Sequence, residues 1–578
     1  MTGEVVGQPL SRVDARLKVT GGATYAAEHR LEDLLHGVVV NAAAARGKVS
    51  AIATDAARAH PGVTHVLTDF GSLKLAHSVT ELAFYGQAIA VVLATTAEAA
   101  AHGASLVEAA CERQPALTDF DDPRATSVTA PENPDYSRGD PDGAFGSADA
   151  KVDLEFTISR ENHNPIELPS TIARWDGGKL TLWDKSQWVQ GAARTVAGAL
   201  GVPEQDVRVH CEYVGGGFGS AIRAYDHVVL AAFAARQAGR PVKVVLGARR
   251  FGWSRRGPAP GGRTDGDLLI GMGMATASYH NNRRQVGSRA RVDADGTATV
   301  ATATSDMGPG TTTSVMQVAA DALGLPARQV TFRLGDSAYP AAPPHAGATT
   351  MASVGSAAHT SCSALRNKFI GMAVADPASP LYRADPAKVA VRDGRLSSGG
   401  NGAADSYREI LRRAGLPGLE ATATWGPGDT DERISSYGYG AVFAEVSVDP
   451  LLGLVRIRRM FAAYDVGRVI SPKLAHSQAI GGMVGGIGMA LLEGTVTDHR
   501  DGRIVNAGLA DYLVPVNAAV PELDAAFIDT EDPLADPIGV KGLGEITIVG
   551  VPAAIGNAVF NATGKRLTDL PIRLEALL

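Results

Sequence analysis

The sequence predicts a mixed α/β fold, α+β in its detail, divided into several units. Three observations lead there. Short β-branched runs alternate with alanine-rich stretches from the start of the chain. Glycine-rich turns recur four times, several of them beside predicted helix starts. The 578 residues exceed what one hydrophobic core spans, and 45% apolar with 20% charged residues is ordinary globular composition.

Residues 1–119 form a first unit, in which runs at 36–40 and 63–68 read as strands and 96–111 as a helix. Residues 120–150, rich in Pro, Asp, Ser and Gly, read as a linker. A second unit spans 151–250, with strands at 152–158 and 180–183, a helix over 187–200, and a strand at 207–213 running into the turn Val214-Gly-Gly-Gly-Phe-Gly-Ser220. A helix over 225–238, closed by Gly239, then precedes a strand at 242–246. Residues 251–267 carry no periodic apolar signal and read as a junction loop. The third unit, 268–578, is strand-rich, with helices over 312–323, 355–374, 477–493 and 551–563.

The formal net charge of −7 is spread without large single-sign blocks, which argues against nucleic acid and membrane as partners. Arg249, Arg250, Arg255 and Arg256 make one short basic run that reads as a solvated loop. Cys111, Cys211 and Cys362 lie far apart without a C-x-x-C pair, so the chain assembles neither a disulfide framework nor an iron-sulfur cluster. The N-terminal residues lack an apolar core after a basic start, and no continuous apolar window reaches membrane-spanning length. The expected compartment is the cytoplasm.

Chemistry concentrates at Gly539-Val-Lys-Gly-Leu-Gly-Glu545, which sets one carboxylate on a turn of small residues before an apolar run, 546–557, that reads as a buried helix. Glu545 is a candidate general base, or a helix-capping glutamate. The other glycine turns, at 214–220, 306–311 and 481–488, offer free N–H groups to an anionic ligand. The glycines at 481–488 suit close helix packing better, because no βαβ context surrounds them. His163 and Glu167 are four apart, but Pro165 between them opposes the helix a metal site would need. His345 lies on a loop and reads as solvated or functional.

Taken in order, these motifs resemble the molybdenum-binding large subunit of the xanthine dehydrogenase and aldehyde oxidase family, with its bacterial three-subunit aldehyde oxidoreductases nearest. Gly7-Gln-Pro-Leu-Ser-Arg-Val-Asp14 and Tyr85-Gly-Gln-Ala-Ile-Ala90 are similar to hallmarks of that family's first domain, an a/b hammerhead. The resemblance implies that a two-part molybdopterin-binding region follows. It assigns Gly216, Gly217, Phe218 and Gly219 to one cofactor loop, and Met307, Gly308 and Gly310 to a second, where the family often has Gln at the position of Pro309. Ala352, Ser353, Val354 and Gly355 match a cofactor-binding helix start, joined by Gln478, Lys541 and Gly542. It makes Glu545 the essential base and places Glu167 and Tyr279 at the substrate pocket, with no side chain ligating the metal. The implied cofactor is molybdopterin, in its plain or cytosine dinucleotide form. The implied partners are a small-molecule substrate and separate iron-sulfur and FAD subunits. Relatives of this kind can also reach the periplasm folded, on a partner's signal.

One departure stands out. Between residues 242–246 and 251–253 the family carries a further stretch of roughly 150 residues, of domain size, that has no room in this chain. It includes a loop beside the metal and much of the substrate funnel. Ser220 and Ala221 replace the usual Gly-Lys, and His280 stands where a substrate-side arginine often does. Two enzyme readings follow: an oxidoreductase acting on an aldehyde or aromatic N-heterocycle through a trimmed site, or a cofactor-free protein doing acid-base chemistry with Glu545 and His280 or His345. A non-catalytic binding subunit is the third.

Overall fold

The computed structural model describes residues 5–118, 122–126, 139–245, 264–265, 267–398, 402–428, 436–528 and 530–578. The basic run at 249–256 and most of the junction loop lie outside these residues.

Three sheets carry the architecture. The first has seven strands in the order Val207–His210, Lys179–Asp184, Ser170–Asp176, Val242–Val245, Leu35–Asn41, Ala88–Ala94 and Val63–Leu67. It joins the first two sequence units: Leu35 pairs with Val242 in a parallel ladder that bridges them. Its central strands are apolar and buried on both faces, as Ile89 to Ala94 illustrate. Helices Val189–Leu200 and Asp226–Ala238 cover it, each ended by a left-handed glycine, Gly201 and Gly239.

The second sheet orders Thr264–Asp265, Leu268–His280, Tyr437–Val448, Val455–Asp465 and Glu522–Phe527. Helices Val551–Thr563 and Pro472–Leu491 pack on one face, their apolar side chains merging with the sheet in one core. Gly271 and Gly273 make the contact close: a Cβ on Gly273 would stand 2.1 Å from the Ala558 nitrogen. The opposite face is exposed at Met272, Met274, Phe443 and Phe461. The third sheet, Val330–Arg333, Ala298–Ala301, Val286–Asp293 and Gly418–Trp425, supports helices Thr311–Leu323 and Ser356–Ala375.

Several expectations change. Residues 152–158 alternate apolar and polar as a strand should, yet only Thr157–Ile158 pairs, with Asp569–Leu570, and Val152, Leu154 and Phe156 are exposed. A pattern specifies a strand's faces but not a neighbour to bond with. The helix expected over 96–111 ends at Ser105, and Glu108–Arg113 is a strand paired to Gly47–Ala53. The linker holds a helix, Pro141–Ser147, capped by Asp140. The apolar run after Glu545 is not one helix: Ile546–Val549 forms one turn and Val551–Thr563 follows across Gly550.

Asp184 ends a strand of the first sheet and is buried, its Oδ1 accepting the hydroxyl of its ladder partner Thr171 at 2.6 Å. Burial pushes its pKa up from 3.8 to about 7, and Glu493, also desolvated, rises to about 7. Between about pH 4 and 7 the native protein therefore holds protons that the unfolded chain has released, so stability falls as pH rises through that window. Denaturant midpoints at pH 5 and pH 8 should show this difference, and Asp184→Asn should reduce it.

Candidate active site

The glycine loop after strand Val207–His210 lies against residues 162–167. Gly216 and Gly219 take φ of +95° and +88°, and between them Phe218, a non-glycine, is held at +51° with its ring exposed. Such an outlier persists only where surrounding contacts enforce it. Glu167 supplies one: its Oε2 accepts the Gly215 N–H at 2.6 Å, while its own N–H returns to the Gly215 carbonyl at 3.0 Å. Burial raises the Glu167 pKa. Segment 162–167 is not helical, as Pro165 implied. Among the described residues the N–H groups of Gly216, Gly217, Phe218 and Gly219 have no acceptor, which leaves this glycine nest with donors for an anion.

Gln187 joins this loop to two others. Nothing in the sequence marks it, since it stands alone at a helix entry without a motif. It is buried; its Oε1 accepts from Ala221 N, and its Nε2 donates to the His345 carbonyl at 2.9 Å and to Met307 Sδ at 3.2 Å. A Cβ on Gly217 would stand 2.4 Å from Gln187 Oε1, so any side chain there would have to displace the Gln187 amide. Met307, Gly308 and Gly310 sit on a turn whose buried Asp306 accepts the N–H groups of Gly308 and Gly310 through Oδ1. Arg12 braces this turn, donating to the Gly308 carbonyl and pairing with Asp306 and Asp14. That explains the motif at residues 7–14: it holds a loop nearly 300 residues away.

His345 is buried, with Nδ1 donating to the Ser305 carbonyl at 2.7 Å. Burial lowers its pKa, so it is neutral and serves as an anchor of this loop. Two residues on, Gly347 and Ala348 turn back, both at positive φ. Their N–H groups face the Glu545 carboxylate and pull its pKa down, but burial outweighs them and the net shift is upward. Glu545 precedes the short helical turn without making a side-chain cap bond, which removes the capping alternative. Gly542 permits the approach: a Cβ there would meet Ala348 Cβ at 2.8 Å.

Tyr279 and His280 part company. Successive strand residues point to opposite faces. Tyr279 turns to Glu545, whose charge, with burial, raises the phenol pKa. His280 is on the exposed face, edge-on to Tyr437 at 5.2 Å. The structure therefore does not pair His280 with Glu545 across a shared cavity.

The remaining candidates each make contacts within the fold. Ala352, Ser353, Val354 and Gly355 are buried in a wide helical turn, Met351–Gly355, leading into helix Ser356–Ala375, and the Ser353 hydroxyl accepts the Arg284 N–H. Lys541 donates to Asp465 at 3.2 Å. Gln478 lies on the helix that packs the Glu545 turn, its carbonyl near the Thr547 hydroxyl at 3.5 Å. Gly482 and Gly486 of that helix serve close packing as expected, a Cβ on Gly482 standing 2.0 Å from Thr547 Oγ1 and one on Gly486 2.4 Å from Val551 Cβ, whereas Gly481 has open space.

The description "Molybdopterin cofactor-binding domain" matches residues 122–250 and again 246–521. The aldehyde oxidoreductase molybdenum-binding subunit PaoC of Escherichia coli K12 is 31% identical, over all of this chain and 97% of its own length. This chain belongs to that family of molybdenum-binding subunits. The xanthine dehydrogenase molybdenum-binding subunit of Escherichia coli O157:H7 is 28% identical over 67% of this chain and 51% of its own. The fold matches quinoline 2-oxidoreductase from Pseudomonas putida 86 with a TM-score of 0.86 at 20% identity, covering 99% of this chain and 98% of that one. The alignment with PaoC runs over 726 positions against the 578 residues here, in keeping with the missing stretch inferred from the motifs. As a family member the chain is a molybdopterin-dependent oxidoreductase subunit of mixed α/β fold. Its residues fit that group: the nest at 216–219 has donors to spare, and a Cβ on Gly308 or Gly544 would meet nothing within 4 Å.

Proposed function

We propose that this subunit oxidises an aldehyde or an aromatic N-heterocycle, with Glu545 as general base. The observation that carries it is the placement of a half-buried carboxylate, free of any cap bond, on loops that reach the glycine nest through Gln187. The relatives named above act on such compounds or on purines.

The N–H groups of residues 216–219, on the loop that the Gln187 amide braces, would hold the oxygens and sulfurs of the molybdopterin core. Residues 352–355 and Gln478 would meet its distal end in the cytosine dinucleotide form. The bound group supplies the two-electron oxidation. Glu545 removes the proton of the attacking oxygen, and burial, by raising its pKa, makes it a stronger base than a solvated glutamate. Tyr279 lines the same side. Electrons would leave through separate iron-sulfur and FAD subunits. Cys211 and Cys362 are buried and free, and among the described residues no cluster of His, Cys, Asp and Glu is poised for a metal ion.

Turnover should require an added electron acceptor. Product formed from an aldehyde substrate without any acceptor would instead support the acid-base reading. The pH profile carries a sign. Glu545 works only deprotonated, so kcat/KM should fall as pH drops through its pKa, with a midpoint above the ordinary glutamate value of 4.5. A profile flat down to pH 4.5 would count against Glu545 as the base.

A further inference from the structure

We infer that Asn282 is a positioning residue for Glu545, acting through the peptide between Gly347 and Ala348; this rests on the reading of Glu545 as the base. Asn282 Nδ2 donates to the Gly347 carbonyl at 3.0 Å. A carbonyl only accepts, so the amide's NH2 end must face Gly347 and its Oδ1 must face His280 Nδ1, 3.0 Å away. The orientation of the amide and the Nδ1–H tautomer of His280 are fixed together.

The Gly347 carbonyl and the Ala348 N–H belong to one planar peptide unit and point in opposite directions. Holding the oxygen therefore aims the N–H, and that N–H faces the Glu545 carboxylate. The restraint has something to resist, because Ala348 is held at φ +53°, a conformation a non-glycine leaves when released. Asn282 is itself clamped. The neighbouring Asn281 N–H donates to Ser436 at 3.0 Å, Arg283 donates to the Ala535 carbonyl, and the Arg284 N–H donates to Ser353 at 2.9 Å.

The titratable group facing Glu545 from the strand is Tyr279. From the 345–349 loop His345 is turned to Ser305, on its own turn Lys541 pairs with Asp465, and the packed helix offers the uncharged Gln478. Among the described residues only burial and backbone N–H groups shift Glu545, so the loss of one donor is not masked by a charge.

The test reads protonation, not turnover. Infrared difference titration of the protein against its Glu545→Gln variant isolates the Glu545 carboxyl band. Asn282→Ala and the similarly shaped Asn282→Leu should each raise the Glu545 pKa by about one unit, because the carboxylate loses a donor. Thermal unfolding of the same samples reports folding. Variants that fold and titrate like the parent would overturn the inference, as would a lowered melting temperature with no shift in titration. Failure of the base assignment would show separately, as unchanged turnover in Glu545→Gln.

Discussion

Replacing Glu545 by Gln should lower kcat by roughly 10² to 10⁴-fold, the usual contribution of a positioned general base. The substitution keeps shape and retains an oxygen for the N–H groups of Gly347 and Ala348. It removes only the ability to take a proton. Melting temperature and cofactor content should therefore match the parent protein. Steady-state kinetics with a saturating artificial electron acceptor checks this directly. A decrease confined to KM would mean that Glu545 binds substrate without acting in the chemical step.

Gly273→Ala should have the largest effect on stability. The strand Leu268–His280 meets helix Val551–Thr563 through backbone on both sides, and a Cβ at 273 would lie 2.1 Å from the Ala558 nitrogen and 2.2 Å from the Ala554 oxygen. No rotamer can relieve a clash with main chain. Helix and sheet must separate, at a cost on the order of 3 kcal/mol. The same helix follows the Glu545 turn across Gly550, so activity should fall along with the denaturant midpoint. Gly556→Ala is the control, since a Cβ there meets nothing within 4 Å: activity should be unchanged and the midpoint should hold or rise, alanine being the better helix former.

Much of the fold was legible where the pattern is local. Helices Val189–Leu200, Asp226–Ala238, Thr311–Leu323 and Val551–Thr563 show apolar spacing and end at glycines that take positive φ. What was not legible depends on distant partners. Residues 152–158 have a strand's alternation, but pairing is a property of two segments. The wide turn at Met351–Gly355 has no composition of its own.

The site divides in the same way. Glu545 was legible because Gly542 and Gly544 just before it announce a constrained turn. The glycine loop was legible because three consecutive glycines before Phe218 are costly unless a close approach requires them. Gln187 and Asn282 were not, because a single buried amide becomes meaningful only when its partners, 34 to 158 residues away for Gln187 and 65 for Asn282, are in place. His280 was placed beside Glu545 because the family often has a substrate-side arginine there, and strand alternation puts it on the face opposite Tyr279. Arg12 was read within an opening motif, while its purpose is to brace Asp306.

The central claim is that the site holds molybdopterin although a domain-sized stretch of the family has no counterpart here. Metal analysis of the full chain, produced in a host that makes the cofactor, tests it most directly. The account predicts near-stoichiometric molybdenum in folded protein. Folded protein free of molybdenum, from a host in which a related subunit loads fully, would contradict it.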